Sequence, residues 1–530
     1  MKLNCKLWYF SLFLLIFLLS AYPASAEIHS TQEATATYYH VSGNTSRSFY
    51  PDNDVDWLYE GSVDFKTPLN GYEWYGNINY RATNDDLIDS QSFSIERMFM
   101  GLKGANKDIL MGDFYSNFTD YSLSNAIKGA KIVLGGDKST SRLILVGGMD
   151  TSKWEDLWEN RVDDTNSRRY VWGSRLENNL IENKLFLNFN YGGARDDTAY
   201  VSPSGNPILV NVFSVDSKYV INSHLTASGE IAESFTDENL RNDDQKTKSD
   251  YATKLGLDLN LKDYSLSTIY SRVGNHFNTT GGFSAQDLEA WSIDGMWYLP
   301  LKVKFSHYFR MDRDNLSDTK STTTKQLNPG GKFSFTLPKD VAFSLGADYR
   351  KRYSVDKTTN EKTYTYTSNL GKDFGIVYAT LGYTRTKVTN RVSAAQERHS
   401  DLYSIGFDGS FNLKDVKFNW NAGEDIERTA YKSSGKADFT TSTLLGLKAA
   451  FPSTLTFIAK ATIGDNNYFM NETDSYNTYY YGEISRNILR RLLKDSLTFD
   501  VSYEHKGYSY FDNANNYAET ILKGRFTYTF

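Results

Sequence analysis

The residues able to do chemistry are few and scattered. The seven histidines are His29, His40, His224, His276, His307, His399 and His505. No two of them stand at an H-x-x-H or H-E-x-x-H spacing, which would aim two imidazoles at one metal ion. No G-x-S-x-G elbow presents a nucleophilic serine. The one cysteine, Cys5, lies in a stretch expected to be removed. That leaves no thiol for a disulfide, a Cys-ligated zinc or a Cys nucleophile, and C-x-x-C-H, the c-type haem attachment, is absent. The expectation is a protein that is not an enzyme, with no metal and no cofactor of its own. Lys and Arg number 58 against 64 Asp and Glu, without a basic patch, so nucleic acid is not an expected partner.

What remains is charge at every second position. Lys302, Lys304, Arg310, Asp348, Arg350, Asp408, Lys417, Lys460, Asp500, Glu504, Lys523 and Arg525 fall opposite apolar neighbours in short alternating runs. Mixed signs at that spacing suit a hydrated wall better than a binding site for one ion, and these twelve are the candidate pore-lining residues. The run GLKGANKDILMGDFYSNFTDYSLSNAIKGAKIVLGG departs from the pattern, with Gly101, Gly104, Gly112, Gly129, Gly135 and Gly136 around Asp113. Glycines in strands mark bulges, bends or close backbone approach. The stretch reads as a barrel corner or as an inward-folded constriction or partner-docking segment carrying Asp113, Phe114 and Tyr115. The WEDLWEN loop, with Trp154 and Trp158, has the aromatic content to dock a partner or to lie as a short helix over a rim.

These residues must be positioned by strands. In VKFNW, Val416, Phe418 and Trp420 share a face opposite Lys417 and Asn419; in SLTFDVSYEHK, Leu497, Phe499, Val501 and Tyr503 oppose Thr498, Asp500 and Ser502. Period-two runs of about ten residues have the length a tilted strand needs to cross a bilayer. Marking them along the chain gives about 26 strands, within a range of 22 to 28, joined alternately by short turns and long polar loops. The expected fold is all-β: one large up-and-down antiparallel transmembrane barrel over residues 27–530, with no plug domain. An even count puts both termini on the short-turn, periplasmic side.

The two ends of the chain agree with export. Residues 1–26 carry Lys2 and Lys6, then LWYFSLFLLIFLLS, then Ala24-Ser25-Ala26: the layout of a cleaved signal peptide. Its loss would take the whole-chain charge of −6 to −8. Mean hydropathy is −0.51, which reads as soluble until alternate residues are separated. The chain ends LKGRFTYTF, with Phe526, Tyr528 and Phe530 on one face. This ending resembles the C-terminal signature of bacterial outer-membrane β-barrels, which implies that Phe526, Tyr528 and Phe530 are read by the barrel-assembly machinery in the bacterial outer membrane.

A barrel of that strand number, if round, leaves a void of roughly 35 Å. Two readings follow: a porin-like channel joining periplasm and exterior, passive, with its lumen narrowed by loops; or a sheath whose lumen is filled by a periplasmic or surface protein, or which exports a polymer. A wide, plugless barrel is similar in architecture to the porin subunits of porin–cytochrome conduits, which implies a multihaem cytochrome as the sheathed partner. The glycine-rich stretch resembles a Gly-Asp-Phe/Tyr strand element of large outer-membrane barrels, which implies no activity.

Overall fold

The computed structural model describes residues 27–530 except 51–52, 137–138, 152, 158–167, 202–204, 243–245, 282–284, 468–473 and 489–495. The expected signal peptide and Trp158 lie outside the described residues. Twenty-six strands follow one another. The first seven are β1 (Glu27–Gly43), β2 (Asp54–Leu69), β3 (Tyr72–Thr83), β4 (Phe93–Lys103), β5 (Lys107–Asn117), β6 (Ser124–Leu134) and β7 (Ser141–Asp150). Next come β8 (Arg169–Ile181), β9 (Leu185–Asp196), β10 (Leu209–Val220), β11 (Leu225–Asp237), β12 (Lys248–Asn260), β13 (Tyr264–Val273) and β14 (Leu288–Leu299). They continue with β15 (Val303–Asp314), β16 (Thr324–Leu337), β17 (Val341–Ser354), β18 (Asn360–Asp373), β19 (Val377–Asn390) and β20 (Arg398–Leu413). The last six are β21 (Val416–Tyr431), β22 (Ala437–Ala450), β23 (Leu455–Asn467), β24 (Ser475–Asn487), β25 (Ser496–Tyr510) and β26 (Tyr517–Thr529).

Each strand pairs antiparallel with its sequence neighbours, and β1 pairs with β26 from Thr31↔Thr529 to Gly43↔Tyr517. The sheet therefore closes on itself, and neither its first nor its last strand is left as a free edge to seek another chain. Ser30 and Phe530 exchange backbone hydrogen bonds of 2.9 and 3.0 Å at the seam. Connections on the terminal rim are tight, from two residues at 70–71 to eight at 488–495; those on the opposite, loop rim run from five to the eighteen of 151–168. Asn70 and Gly71, both at positive φ (50° and 83°), form the Asn-Gly turn that matches strand twist.

The pairing also shows how a misfit residue is absorbed. Pro329, inside β16, has no N–H to offer β17, and the β16–β17 ladder skips Asn328 and Pro329. The Asn328 side-chain amide donates instead to the Tyr349 carbonyl at 3.1 Å.

Directly opposed residues share a face, so the register carries one face around the ring. Arg525 opposes Asp500, Lys460 opposes Gly446, Asp408 opposes Tyr378 and Asp348 opposes Gly330, all on the polar side. Phe526 opposes Phe499 on the apolar side, with ring centroids 4.7 Å apart. The polar face is the lumen and the apolar face the exterior, as in outer-membrane-type barrels. Twenty-six strands at about 4.8 Å spacing and 40° tilt give a backbone diameter of roughly 50 Å. The all-β closed barrel read from the alternation is the fold observed.

Candidate constriction site

One hairpin leaves the wall. Gly112, Gly129 and Gly148 stand directly opposite one another on β5, β6 and β7. A Cβ on Gly129 would sit 2.6 Å from the Cα of Gly148, and one on Gly112, whose φ is +111°, would sit 2.6 Å from the Cα of Phe99. Three backbones cross here more closely than side chains allow, so only glycine fits. Above this row β5 no longer pairs with β4, whose last partner is Phe99↔Gly112, and β6 no longer pairs with β7 beyond Lys128↔Met149. Residues 114–127 pair only with each other, from Phe114↔Ile127 as far as Asn117↔Ser124.

The freed hairpin forms a tongue folded onto the lumenal face of the neighbouring strands. Phe114, Phe118, Leu123 and Ile127 pack with Val146, Val171 and Ala194, which have lumenal register, in one buried core. Tyr121 packs with Val210, Val212, Ala232, Ala252, Val273 and Phe277 in a second. Burying each such side chain is worth about 1.5–3 kcal/mol, so the tongue is held by its underside. The wall is hollowed to receive it: a Cβ on Gly173 would lie 2.9 Å from the Phe118 ring, and one on Gly192 2.8 Å from the Ser122 carbonyl. Tyr115 points away from this core and is 62% exposed.

Polar anchors fix the tip. Arg175 donates to the Phe118 carbonyl at 2.8 Å while also holding Asp216 at 2.9 Å and Asn190 at 2.7 Å. Lys254 pairs with Asp120 at 2.5 Å. A second segment, 274–281 of the β13–β14 loop, lies against the tip. Its Phe277 meets Tyr121 edge-on at 5.6 Å, and Thr280 donates to the Ser122 carbonyl at 2.8 Å. Phe277 and Thr280 are fully buried.

The gap left beside β4 is sealed by side chains. Asp113 accepts from the Met98 backbone N–H at 2.6 Å, from Trp154 Nε1 at 2.5 Å and from Lys128 Nζ at 2.6 Å. Glu155 accepts from the Ile95 N–H at 2.9 Å. Two carboxylates thus take the place of the strand that would have paired with β4. Residues 153–155 of the β7–β8 loop thus form a strap over the root of the tongue, and its Lys153 pairs with Asp89 in the β3–β4 loop. Burial alone would raise the Asp89 carboxyl. Hydrogen bonds from Lys153, Ser94 and the Gln91 N–H, with the Lys153 charge, outweigh it and hold the group below the usual carboxylate range.

The candidate residues therefore separate. Asp113, Phe114 and Trp154 come together at the root of the tongue; Tyr115 stands on its free face. Lys304, Arg310, Asp348, Arg350, Asp408, Lys417, Lys460, Asp500, Glu504, Lys523 and Arg525 all carry lumenal register on β15–β26. Five of the eleven are neutralised locally: Arg525 and Asp500 by each other at 3.0 Å, Arg310 by Asp294 at 3.1 Å, Arg350 by Glu361 at 3.3 Å and Glu504 by Lys506 at 2.7 Å. Lys302 is not on a strand face. It lies in the Pro300–Lys302 turn at positive φ (58°), bordering the lumenal groove that Lys304 and Lys332 line.

Sequence reasoning missed the receiving wall: Val146, Val171, Arg175, Val210, Val212, Lys254 and Phe277. The signal was present as lost alternation. In LILVGGM and ILVNVF apolar residues occupy both registers, which a solvated lumen would not allow. Among the described residues no group of three or more His, Cys, Asp or Glu is placed to hold a metal ion.

No protein-family model matches the chain, and no curated protein matches it. Solved structures that align with the chain include the ferric enterobactin receptor PfeA of Pseudomonas aeruginosa in complex with BCV-L6, at 11% identity and TM-score 0.44, covering 95% of this chain and 81% of the receptor. OccAB3 of Acinetobacter baumannii matches at 11% identity and TM-score 0.28, over 95% of this chain and all of that one. The P pilus usher PapC translocation pore matches at 10% identity and TM-score 0.27, over 94% and 99%. At such identities and scores these likenesses say nothing about what this chain does.

Proposed function

We propose that the protein is a passive channel of the bacterial outer membrane, joining periplasm and exterior, whose lumen is narrowed from one side by the β5–β6 tongue. The observation that carries this reading is the asymmetry of the lumen. Its β7–β13 side is covered by a buried apolar seat under the tongue, while on its β14–β26 side the described lumenal residues are largely polar and include ion pairs. Such a wall stays hydrated and passes small hydrophilic solutes with weak preference for charge. The apolar exterior, the tight-turn rim bearing both termini and the aromatic last strand fit an outer-membrane location.

The width of the barrel favours the second reading, a sheath around a partner protein, because a roughly 50 Å ring exceeds what one tongue fills. Conductance separates the two. Reconstituted in planar bilayers, the channel shows steady ohmic conductance with a reversal potential near zero in a salt gradient. Replacing residues 115–126 by Asn-Gly raises the unit conductance severalfold. An unchanged conductance sinks the tongue's role; a barrel that conducts only after a tightly held native partner is stripped away establishes the sheath.

A further inference from the structure

We infer that the exterior of β15–β21, next to the loop rim, is a binding surface for the phosphorylated headgroups of an acylated lipid. The inference rests on the outer-membrane reading above. Exterior register places Arg313, Lys325, Lys351, Lys362, Arg385, Lys387 and Arg428 within a few residues of the loop-rim ends of their strands. Just below them on the same face, towards the terminal rim, stand two tyrosine pairs, Tyr349–Tyr364 at 5.0 Å and Tyr383–Tyr403 at 5.1 Å. Tyrosines mark the depth where hydrocarbon meets headgroups, so the cations lie at phosphate level.

Their arrangement is unfavourable without an anion. Arg313 stands directly opposite Lys325, and Lys351 directly opposite Lys362. Like charges so opposed destabilise a sheet. The exterior carboxylates on β14–β21 are Glu289, Asp401 and Glu424. Glu289 is taken by Arg313 at 2.9 Å, Asp401 by the Tyr383 hydroxyl at 2.7 Å and Arg385 at 3.8 Å, and Glu424 by the Thr443 hydroxyl. Among the described residues no carboxylate lies within ion-pair distance of Lys325, Lys351, Lys362 or Lys387; His399 faces Lys387. Lys351 lies 4.4 Å over the Tyr353 ring and Arg428 5.8 Å over the Phe439 ring, which orients both heads along the surface. An acylated, phosphorylated molecule meets both halves of the site: chains against the apolar band, phosphates against the cations.

The test compares wild type with the variant carrying Lys325→Gln, Lys351→Gln, Lys362→Gln and Lys387→Gln, none of which touches the tongue. Both are refolded in one detergent and titrated with a bis-phosphorylated, acylated glucosamine disaccharide, with dioleoylphosphatidylcholine and with inorganic phosphate, followed by native mass spectrometry. Wild type is expected to bind the phosphorylated glycolipid on the order of a hundredfold more tightly than the variant at low salt, with the difference shrinking as salt is added. Equal binding by the two proteins, or equal binding of phosphatidylcholine, overturns the inference. Saturation by inorganic phosphate at the same concentration overturns its lipid part. Both proteins are also mixed with phosphatidylcholine vesicles. If wild type fails to enter them as a β-rich species, the membrane reading falls too; if both enter and bind the glycolipid alike, only the inference falls.

Discussion

At the scale of single residues, the bend of the tongue is a backbone requirement. Gly129→Val places atoms where the Gly147 carbonyl and Gly148 Cα already are. It is expected to cost about 1–3 kcal/mol, as overpacking does, seen as a lower urea midpoint for the folded band on unheated gels. Gly147→Ala is the control: its Cβ meets nothing within 4 Å, and the midpoint stays put. Asp113 gives a different kind of residue effect. Its loss would leave Lys128, 6% exposed, charged and unpaired, with the Met98 N–H unsatisfied. Removing one partner of a buried pair costs about 3–5 kcal/mol, so Asp113→Ala should be worse than removing any of the lumenal cations on β15–β26. Asp89 sets a pH effect. Its folded carboxyl titrates below its ordinary value because of Lys153 and Ser94, so its contribution is complete above about pH 4 and is lost as pH falls through the lower, folded value. Acidification should release the strap and change Trp154 fluorescence, and Asp89→Asn should remove that dependence. A fluorescence change persisting in Asp89→Asn would refute the assignment.

Among elements, the tongue is the one whose stability is separable from the barrel's. Its backbone leaves the ladder at Gly112 and is held by Phe114, Phe118, Leu123 and Ile127 with the Arg175 and Lys254 anchors. Replacing Phe118 and Leu123 together by alanine removes two seats worth about 3–5 and 2–5 kcal/mol. Protease cleavage should then appear between residues 113 and 127 while far-ultraviolet circular dichroism is unchanged. Cleavage elsewhere first would mean that the tongue is not a separate unit. The glycine run and Asp113 marked this element in the sequence, but its direction did not show. A bend toward the lumen and one toward lipid use the same glycines, and only the apolar lumenal residues of β7–β13 distinguish them.

For the whole molecule, closure is the decisive event, because β1 and β26 meet only when the remaining twenty-four strands are in place. Removing residues 517–530 exposes the paired edges of β1 and β25 and should abolish the heat-modifiable folded band altogether. Phe530→Ala should act otherwise. The backbone bonds between Ser30 and Phe530 need no side chain, so material that folds keeps its heat stability while its amount in the membrane falls if the terminal aromatic is an assembly signal. Equal amounts of wild type and variant in the membrane would dismiss that signal.

How much was legible follows from where the information lies. Alternation is local, so the strands, the polarity of their faces and the lumenal register of Lys304 through Arg525 could be read from neighbours two residues apart. Lys302 falls outside that rule, because the positive-φ Pro300–Lys302 turn has no face, yet it borders the same lumenal groove as Lys304. The tongue's seat joins Phe118 to Val171 and Tyr121 to Phe277, contacts between segments far apart in the chain. No period encodes them; they exist only once the ring has closed and brought β5–β6 across β7–β13. The cation pairs Arg313–Lys325 and Lys351–Lys362 are likewise invisible until register sets them opposite one another, since charge in a sheet acts across strands rather than along them.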